Sequence, residues 1–183
     1  MIKLNLGGGN WKKEGWTNLD KKFGYNINKK LLTSYKDNSV DLIYTSHFIE
    51  HIEPVSILKL FKDCYRVMKN GAIIRIVFPS IIKMYPLLKY KKKNELVKSC
   101  RYYKKYKNRP IDEDINELLG FSGTTKHKAI LDSITVKLFL SLSGFDNTKI
   151  YDMEFNKSNA VELQKGFDSS EHILISEYVE AVK

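Results

Sequence analysis

The sequence contains few cysteines and few arginines. Its two cysteines, Cys64 and Cys100, form no C-x-x-C pair, so neither a disulfide framework nor a cysteine zinc site is predicted. The net charge is +10, but almost all of the basic residues are lysines. Interfaces that read bases favour the planar guanidinium of arginine. The charge therefore allows nucleic acid as a partner without favouring it.

Long apolar runs are also absent. No run approaches the roughly 18 residues that span a membrane, and the amino terminus lacks a charged prefix followed by an apolar stretch. These absences predict a soluble, cytoplasmic protein. The chain has 183 residues, 43% of them hydrophobic, which predicts a single domain over residues 1–183 with a substantial core.

The complete dinucleotide fingerprint G-x-G-x-x-G is missing as well. Gly7, Gly8 and Gly9 follow an apolar strand, but no further glycine completes the motif. Asp20 ends the next short strand, about ten positions on, whereas the acidic partner in dinucleotide folds lies about twenty residues on. A glycine loop with a nearby acceptor for ribose hydroxyls suits an adenosyl ligand without pyrophosphate better than NAD. A plain turn is the alternative.

The remaining pattern alternates apolar strands with helices. Strands are predicted at Ile2–Leu6, Thr17–Asp20, Val40–Ser46, Ala72–Phe78, Lys149–Phe155 and Ile173–Val182, with a weak additional strand between Phe23 and Ser39. One helix begins near Pro54, with an apolar face at Val55, Leu58, Phe61, Cys64 or Tyr65, and Met68. A later helix begins at Asp132 and Ser133, with Ile134, Leu138 and Leu142 on its apolar face, and it ends at Gly144. Residues 80–128 are rich in lysine and tyrosine and predict a helical insertion, either a solvated surface or a lid over a substrate pocket.

Four blocks of the sequence resemble the class I S-adenosylmethionine (SAM) dependent methyltransferases. They are Leu4–Gly9, Gly15–Asp20, Asp37–His51 and Tyr65–Gly71. The resemblance is greatest to small bacterial members associated with sugar or surface-polysaccharide metabolism. It implies an α/β, Rossmann-like, mostly parallel sheet of six to seven strands, with an antiparallel last strand and helices on both faces.

This resemblance implies an enzyme with SAM as cofactor and S-adenosylhomocysteine as product. The expected reaction is methyl transfer to an oxygen or nitrogen of a small molecule, such as a sugar or glycan precursor. An RNA methyltransferase is one alternative, and a SAM-binding protein that cleaves the cofactor or is inert is another. The Asn/Asp-Pro-Pro-Tyr/Phe signature of N6-adenine methyltransferases is absent after the Val40 strand, and so is a Pro-Cys nucleophile. Both absences disfavour DNA base methylation.

The resemblance also assigns cofactor contacts. Gly7 and Gly9 let the backbone approach the cofactor, Asp20 binds the ribose hydroxyls, and Asn26 or Asn28 lies where an acidic residue often faces the adenine. Asn5 replaces the acidic residue usual at the end of the first strand. The full predicted set is Asn5, Leu6, Gly7, Gly8, Gly9, Trp16, Asp20, Asn28, Thr45, Ser46 and His47.

The block from His47 to His51 is a second candidate site. Its H-x-x-E-H pattern matches an inverted zinc-peptidase motif, but the block directly follows a strand, and Pro54 comes shortly after it in the sequence. A peptidase is therefore rejected. Some 2′-O-methyltransferases of small RNAs carry E-x-x-E-H here with a later histidine, which implies a divalent-metal site at His47, Glu50, His51 and His127.

Two interpretations without metal remain open. In one, His47 or His127 is a general base while Glu50 and His51 fix the loop. In the other, Glu50 and His51 only cap the following helix. The catalytic prediction is His47, Glu50, His51 and His127, and His172 is expected at the surface.

Overall fold

The computed structural model describes residues 1–23, 26, 32–89 and 127–183. Six strands form one sheet in the order β2-β1-β3-β4-β6-β5. The strands are β1 (Lys3–Leu6), β2 (Thr17–Leu19), β3 (Val40–Ser46), β4 (Met68–Pro79), β5 (Ile150–Met153) and β6 (Ser176–Val182). The described α-helices are α1 (Pro54–Val67), α2 (Ile81–Lys89) and α3 (Ser133–Ser141). Within these described ranges, no helix has the length and apolar character that a membrane crossing requires.

The sheet is mixed, with a single reversed strand. Strands β1, β2, β3 and β4 pair in parallel, and β6 runs antiparallel to both β4 and β5. This arrangement confirms the predicted Rossmann-like class with its antiparallel last strand. It also brings the carboxyl ends of β1, β3 and β4 to the same edge, where α/β folds bind ligands.

Most predicted strands are confirmed, with shifted bounds. β4 begins at Met68 rather than Ala72, because Met68 pairs with Val40 before the register shifts to Leu42 and Ile73. At the other end of the chain, β6 begins only at Ser176. In the weak-strand region, residues 32–39 contain no strand, and residues 24–25 and 27–31 lie outside the described part.

The crossover from β1 to β2 contains no helix. Residues 7–16 form turns and irregular backbone between two parallel strands, although such connections usually carry a helix. The site beside this loop consequently depends on backbone N–H groups and side chains rather than on the positive end of a helix dipole.

Helix α1 was predicted correctly in position, but its apolar face was partly wrong. Pro54 occupies the first turn and Glu53 is the N-cap residue. The buried residues are Ile57, Leu60, Phe61, Cys64 and Val67. Val55 is 60% exposed, because the buried row begins two residues later than the sequence pattern indicated.

Helix α3 presents the opposite face from the one predicted. Asp132 caps it by accepting a hydrogen bond from the Thr135 backbone N–H at 2.7 Å, as the sequence indicated. Val136 and Leu140 are its buried residues. The expected core positions are exposed instead, at 73% for Ile134, 54% for Leu138 and 56% for Leu142.

The sheet has a core on each face. One contains alternate strand residues such as Ile43, Ile74 and Ile76, together with the buried sides of α1 and α3. The core on the other face contains Leu42, Tyr44, Val77 and Tyr178, which pack against Leu163 and Phe167. The chain between β5 and β6 supplies the covering residues of this second core.

A buried ionic cluster fixes that covering segment to the sheet. The Arg75 guanidinium, on β4, donates to Asp168 Oδ2 at 2.5 Å and to Glu180 Oε1 at 2.9 Å, and all three side chains are fully buried. Arg75 also donates to the backbone carbonyls of Glu154 and Lys157. One arginine thus joins β4, β6 and the segment from 154 to 168.

The predicted lysine- and tyrosine-rich insertion, residues 80–128, is only partly described. Helix α2 occupies its beginning, and residues 127–128 are its described end. Its lysine cluster at residues 91–93 and its tyrosine and lysine cluster at residues 102–106 lie outside the described residues. Whether the insertion is a solvated surface or a lid therefore stays a prediction.

Candidate active site at the carboxyl edge of the sheet

The glycine loop leaves β1 at the centre of the carboxyl edge. Gly7 and Gly9 have φ angles of +70° and +55°, in the left-handed region that favours glycine. A Cβ atom on Gly7 would lie 2.1 Å from ring atoms of Phe48, whereas one on Gly9 would have no atom within 4 Å. Gly7 is needed because an aromatic ring packs against the backbone, while Gly9 leaves space on its open side.

Asp20 closes this loop from the end of β2. Its Oδ2 accepts a hydrogen bond from the Gly9 backbone N–H at 3.0 Å, and its Oδ1 accepts one from the Lys22 N–H at 2.8 Å. Each carboxylate oxygen can accept more than one hydrogen bond. Asp20 is half-buried and can therefore bind ribose hydroxyls while it still holds the loop.

Two asparagines lie beneath the loop. Asn5 and Asn18 are partners on adjacent parallel strands, and the Asn18 side chain donates to the carbonyls of Gly9 and Trp11. Asn5 is only 2% exposed, and a Cβ on Gly8 would lie 2.1 Å from its Nδ2. Asn5 thus fills the space under Gly8 without the negative charge that an acidic residue would bring.

The end of β3 lies beside the glycine loop at the same edge. Thr45 Oγ1 donates to the Leu6 carbonyl at 3.0 Å, which ties β3 to β1 where both strands end. Ser46 is the last strand residue and pairs with Val77. The predicted group Leu6, Thr45, Ser46 and His47 therefore lies at one edge with the glycine loop.

His47 has an unusual backbone conformation, with a φ angle of +48°, which is uncommon for a residue other than glycine. Its Nε2 lies 2.8 Å from Ser176 Oγ, and its ring packs on His172 with 3.9 Å between centroids. Burial, followed by the positive charge that neighbouring histidines would carry, lowers the pKa of His47 well below its ordinary value. The imidazole is consequently neutral at pH 7.

Glu50 is buried beside His47. Its side chain is 1% exposed, and its Oε1 lies 3.7 Å from both His47 Nδ1 and His51 Nε2. Burial raises the pKa of Glu50 to about 8, because the charged form loses its hydration. The prediction that Glu50 and His51 cap the next helix is wrong, since the N-cap residue of α1 is Glu53 and neither Glu50 carboxylate oxygen has a hydrogen-bond partner among the described residues.

His127 approaches this group from a distant part of the chain. The backbone N–H groups of Lys128 and Ala129 both donate to the Glu50 carbonyl, at 2.7 and 3.2 Å. The rings of His51 and His127 are 4.8 Å apart. The candidate set His47, Glu50, His51 and His127 is therefore a single cluster.

Of the other predicted cofactor residues, Trp16 stands apart from this edge and Asn28 cannot be placed. Trp16 packs on Phe167 at 5.0 Å and donates its indole N–H to Glu162 Oε1 at 2.8 Å, so its ring belongs to the second core. Asn28 lies outside the described residues, and the neighbouring Asn26 is half-buried.

Sequence reasoning missed three residues of the site. His172 was expected at the surface, but it is half-buried and packs on His47. Ser176 bonds His47, and Phe48 packs on Gly7. Phe48 could have been found from its place directly after His47, whereas His172 and Ser176 reach the site only because β6 begins at the carboxyl edge next to Pro79.

Comparison with known proteins agrees with this architecture. Residues 20–76 match a family model described as a methyltransferase domain. No curated relative matches the sequence. A SAM-dependent methyltransferase from Archaeoglobus fulgidus is similar in structure, with a TM-score of 0.58 and 19% identity over 100% of this chain and 86% of the other.

Two further structures show the same fold. A SAM-dependent methyltransferase from Thermotoga maritima has a TM-score of 0.54 and 12% identity, covering 100% of this chain and 82% of its own. One from Mesorhizobium loti has a TM-score of 0.50 and 15% identity, covering 100% and 90%. The shared fold confirms the predicted Rossmann-like architecture, and the methyltransferase-domain match over residues 20–76 supports the predicted SAM-dependent methyltransferase class.

Proposed function

We propose that this protein transfers a methyl group from SAM to an oxygen or nitrogen of a small molecule, with a sugar or glycan precursor as the first acceptor class to test. The observation that carries the proposal is the pairing of Asp20 with the glycine loop at 3.0 Å, opposite His47 at the end of β3. In this arrangement the glycine loop and Asp20 would hold the cofactor, and polar side chains lie beside them at the same edge of the sheet.

Methyl transfer makes modest chemical demands on such a site. The sulfonium of SAM is already a good leaving group, so the protein must mainly align the acceptor in line with the methyl group and accept its proton. The new bond joins the acceptor oxygen or nitrogen to the methyl carbon, the carbon–sulfur bond breaks, and S-adenosylhomocysteine leaves. We assign the proton-accepting role to His47, with His172 and Ser176 holding its ring.

The chemistry of the described edge favours a small acceptor over RNA. Interfaces that read the bases of a nucleic acid favour the planar guanidinium of arginine. The arginines in the described part of the chain are engaged elsewhere: Arg66 pairs with Asp37 and Asp63, and Arg75 is buried. An RNA acceptor therefore ranks second, and it predicts steeply salt-dependent RNA binding.

Calorimetric titration with SAM and S-adenosylhomocysteine tests the cofactor site. We expect Asp20→Ala to weaken binding about 10- to 100-fold, as loss of hydrogen bonds to a charged group implies. Asp152→Ala is the matched control, since this exposed residue pairs with Lys137 on another part of the surface and should leave affinity unchanged. Equal affinities in both variants would contradict the assignment.

The reaction itself is tested by incubating the protein with SAM, with and without candidate sugars. Methylated product that appears only with an acceptor supports the proposal. Loss of SAM without any acceptor would instead identify a protein that cleaves its cofactor. Methylated RNA would establish the second candidate.

A further inference from the structure

A second site is formed by a carboxylate and two imidazoles on one side of His47. Glu50 and His51 belong to the short 3-10 turn Ile49–His51, and His127 joins them from a distant part of the sequence. One ligand atom from each of the three residues lies within 4.8 Å of the others. The two hydrogen bonds from Lys128 and Ala129 to the Glu50 carbonyl hold the segment of His127 against this turn.

The Glu50 carboxylate is the unusual member of the group. It is 1% exposed, and neither oxygen has a hydrogen-bond partner among the described residues. Removing a carboxylate from water without hydrogen bonds or a cation costs several kcal/mol. Imidazole nitrogens of His47 and His51 lie 3.7 Å from its Oε1, which is beyond normal hydrogen-bond length. The arrangement leaves room for a further group between these atoms.

We propose that Glu50, His51 and His127 bind a divalent transition metal ion. A carboxylate oxygen with two imidazole nitrogens suits Zn²⁺, Mn²⁺ or Fe²⁺ rather than Mg²⁺. Metal–ligand bonds of about 2.0–2.2 Å place ligand atoms roughly 3–3.5 Å apart. Small side-chain rotations from the observed separations complete that geometry.

The proposed ligand set omits one member, His47, of the four residues that the sequence predicts. His47 faces Glu50 through Nδ1, but its Nε2 is engaged with Ser176 and its ring packs on His172. It is therefore a neighbour of the metal rather than a ligand. Three protein ligands leave a coordination position open, as in catalytic metal sites. If the proposed methyl transfer is correct, a hydroxyl-bearing acceptor beside His47 is the natural occupant of that position.

Metal binding is tested on full-length protein without a histidine tag, after treatment with a chelator. Zn²⁺ and Mn²⁺ are titrated calorimetrically, and Co²⁺ serves as an absorption probe of nitrogen and oxygen ligation. We expect one ion per chain. Glu50→Gln and His127→Ala should each weaken binding by at least about 10- to 100-fold, since loss of even an outer-shell partner costs that much. Asp152→Ala, which removes an exposed carboxylate that pairs with Lys137 outside this site, should retain binding.

A second measurement guards against misfolded variants. Glu50→Gln replaces a buried carboxyl group that has no hydrogen-bond partner among the described residues with an amide of similar size, so the metal-free variant should melt close to the wild-type temperature, while the rise in melting temperature with added Zn²⁺ should vanish. Absence of stoichiometric binding, or equal binding by Glu50→Gln, would overturn the proposal. SAM affinity, measured on the same samples, separates this outcome from a failure of the proposed function.

Discussion

At the scale of single residues, two glycines of one loop are required for different reasons. Both adopt positive φ angles, but only Gly7 has an aromatic ring where a side chain would begin. Phe48 follows directly after His47 in the chain, so the packing of its ring at Gly7 connects the glycine loop to the histidine block. Gly9 instead donates its N–H to Asp20.

The glycine pair provides a matched test. Gly9→Ala should lower the free energy of unfolding by about 1–2 kcal/mol, because alanine is strained in the left-handed backbone conformation. Gly7→Ala should lower the free energy of unfolding by about 1–3 kcal/mol more than Gly9→Ala does, because the new methyl group overlaps Phe48. Urea unfolding with parallel SAM titration measures both effects. Equal losses in the two variants would show that Phe48 moves aside freely, and a Gly7→Ala, Phe48→Ala double variant should recover stability.

Residues near one another in sequence were the predictable part of the site. Gly9 and Asp20 are separated by a single strand, and the histidine block from 47 to 51 is continuous, so local patterns indicated them. His172 lies far along the chain in a short 3-10 turn without a motif. Its contact with His47 depends on how β6 enters the sheet, which no local pattern encodes.

At the scale of elements, α3 shows why spacing alone does not identify a buried face. Ile134, Leu138 and Leu142 recur every four residues, but so do Val136 and Leu140, and a helix that is apolar on both sides has no preferred face by periodicity. The sheet and α1 determine the outcome, since Val136 and Leu140 join their core. The sequence therefore predicted the helix and its Asp132 cap but not its rotation.

Leu140 and Leu138 test this rotation within one helix. Leu140→Ala should destabilise the protein by about 2–5 kcal/mol, as for other fully buried leucines. Leu138→Ala should change the free energy of unfolding by less than about 0.5 kcal/mol, because the side chain is more than half exposed. Chemical denaturation of both variants measures the difference. Comparable losses would contradict the observed orientation of α3.

At the scale of the whole molecule, Arg75 joins parts of the chain that are far apart in sequence. It lies between the apolar residues Ile74 and Ile76 of β4, and its partners Asp168 and Glu180 are 93 and 105 positions away. Strand alternation places Arg75 on the face opposite Ile74 and Ile76, where the segment from 154 to 168 covers it. A sequence pattern identifies the strand but cannot supply partners at such separations.

Arg75→Met should lower the free energy of unfolding by about 3–5 kcal/mol, because two buried carboxylates lose their cation. Lys69→Ala is the control, since Lys69 is half-exposed and pairs with Asp41 at 2.7 Å. Loss of such an exposed pair should cost less than about 1 kcal/mol. Urea unfolding compares the two variants. A small loss for Arg75→Met would mean that the cluster does not hold the covering segment.

The bridge between Ser80 and Leu131 has a consequence for how this chain could diversify. These residues pair in parallel, and the Ile81 N–H donates to the Leu131 carbonyl at 3.1 Å, so the chain between them departs from and returns to one point on the carboxyl edge. Additions or deletions in that stretch need not alter any strand register. The length and sequence of that stretch can thus change while the glycine loop and the sheet remain as they are.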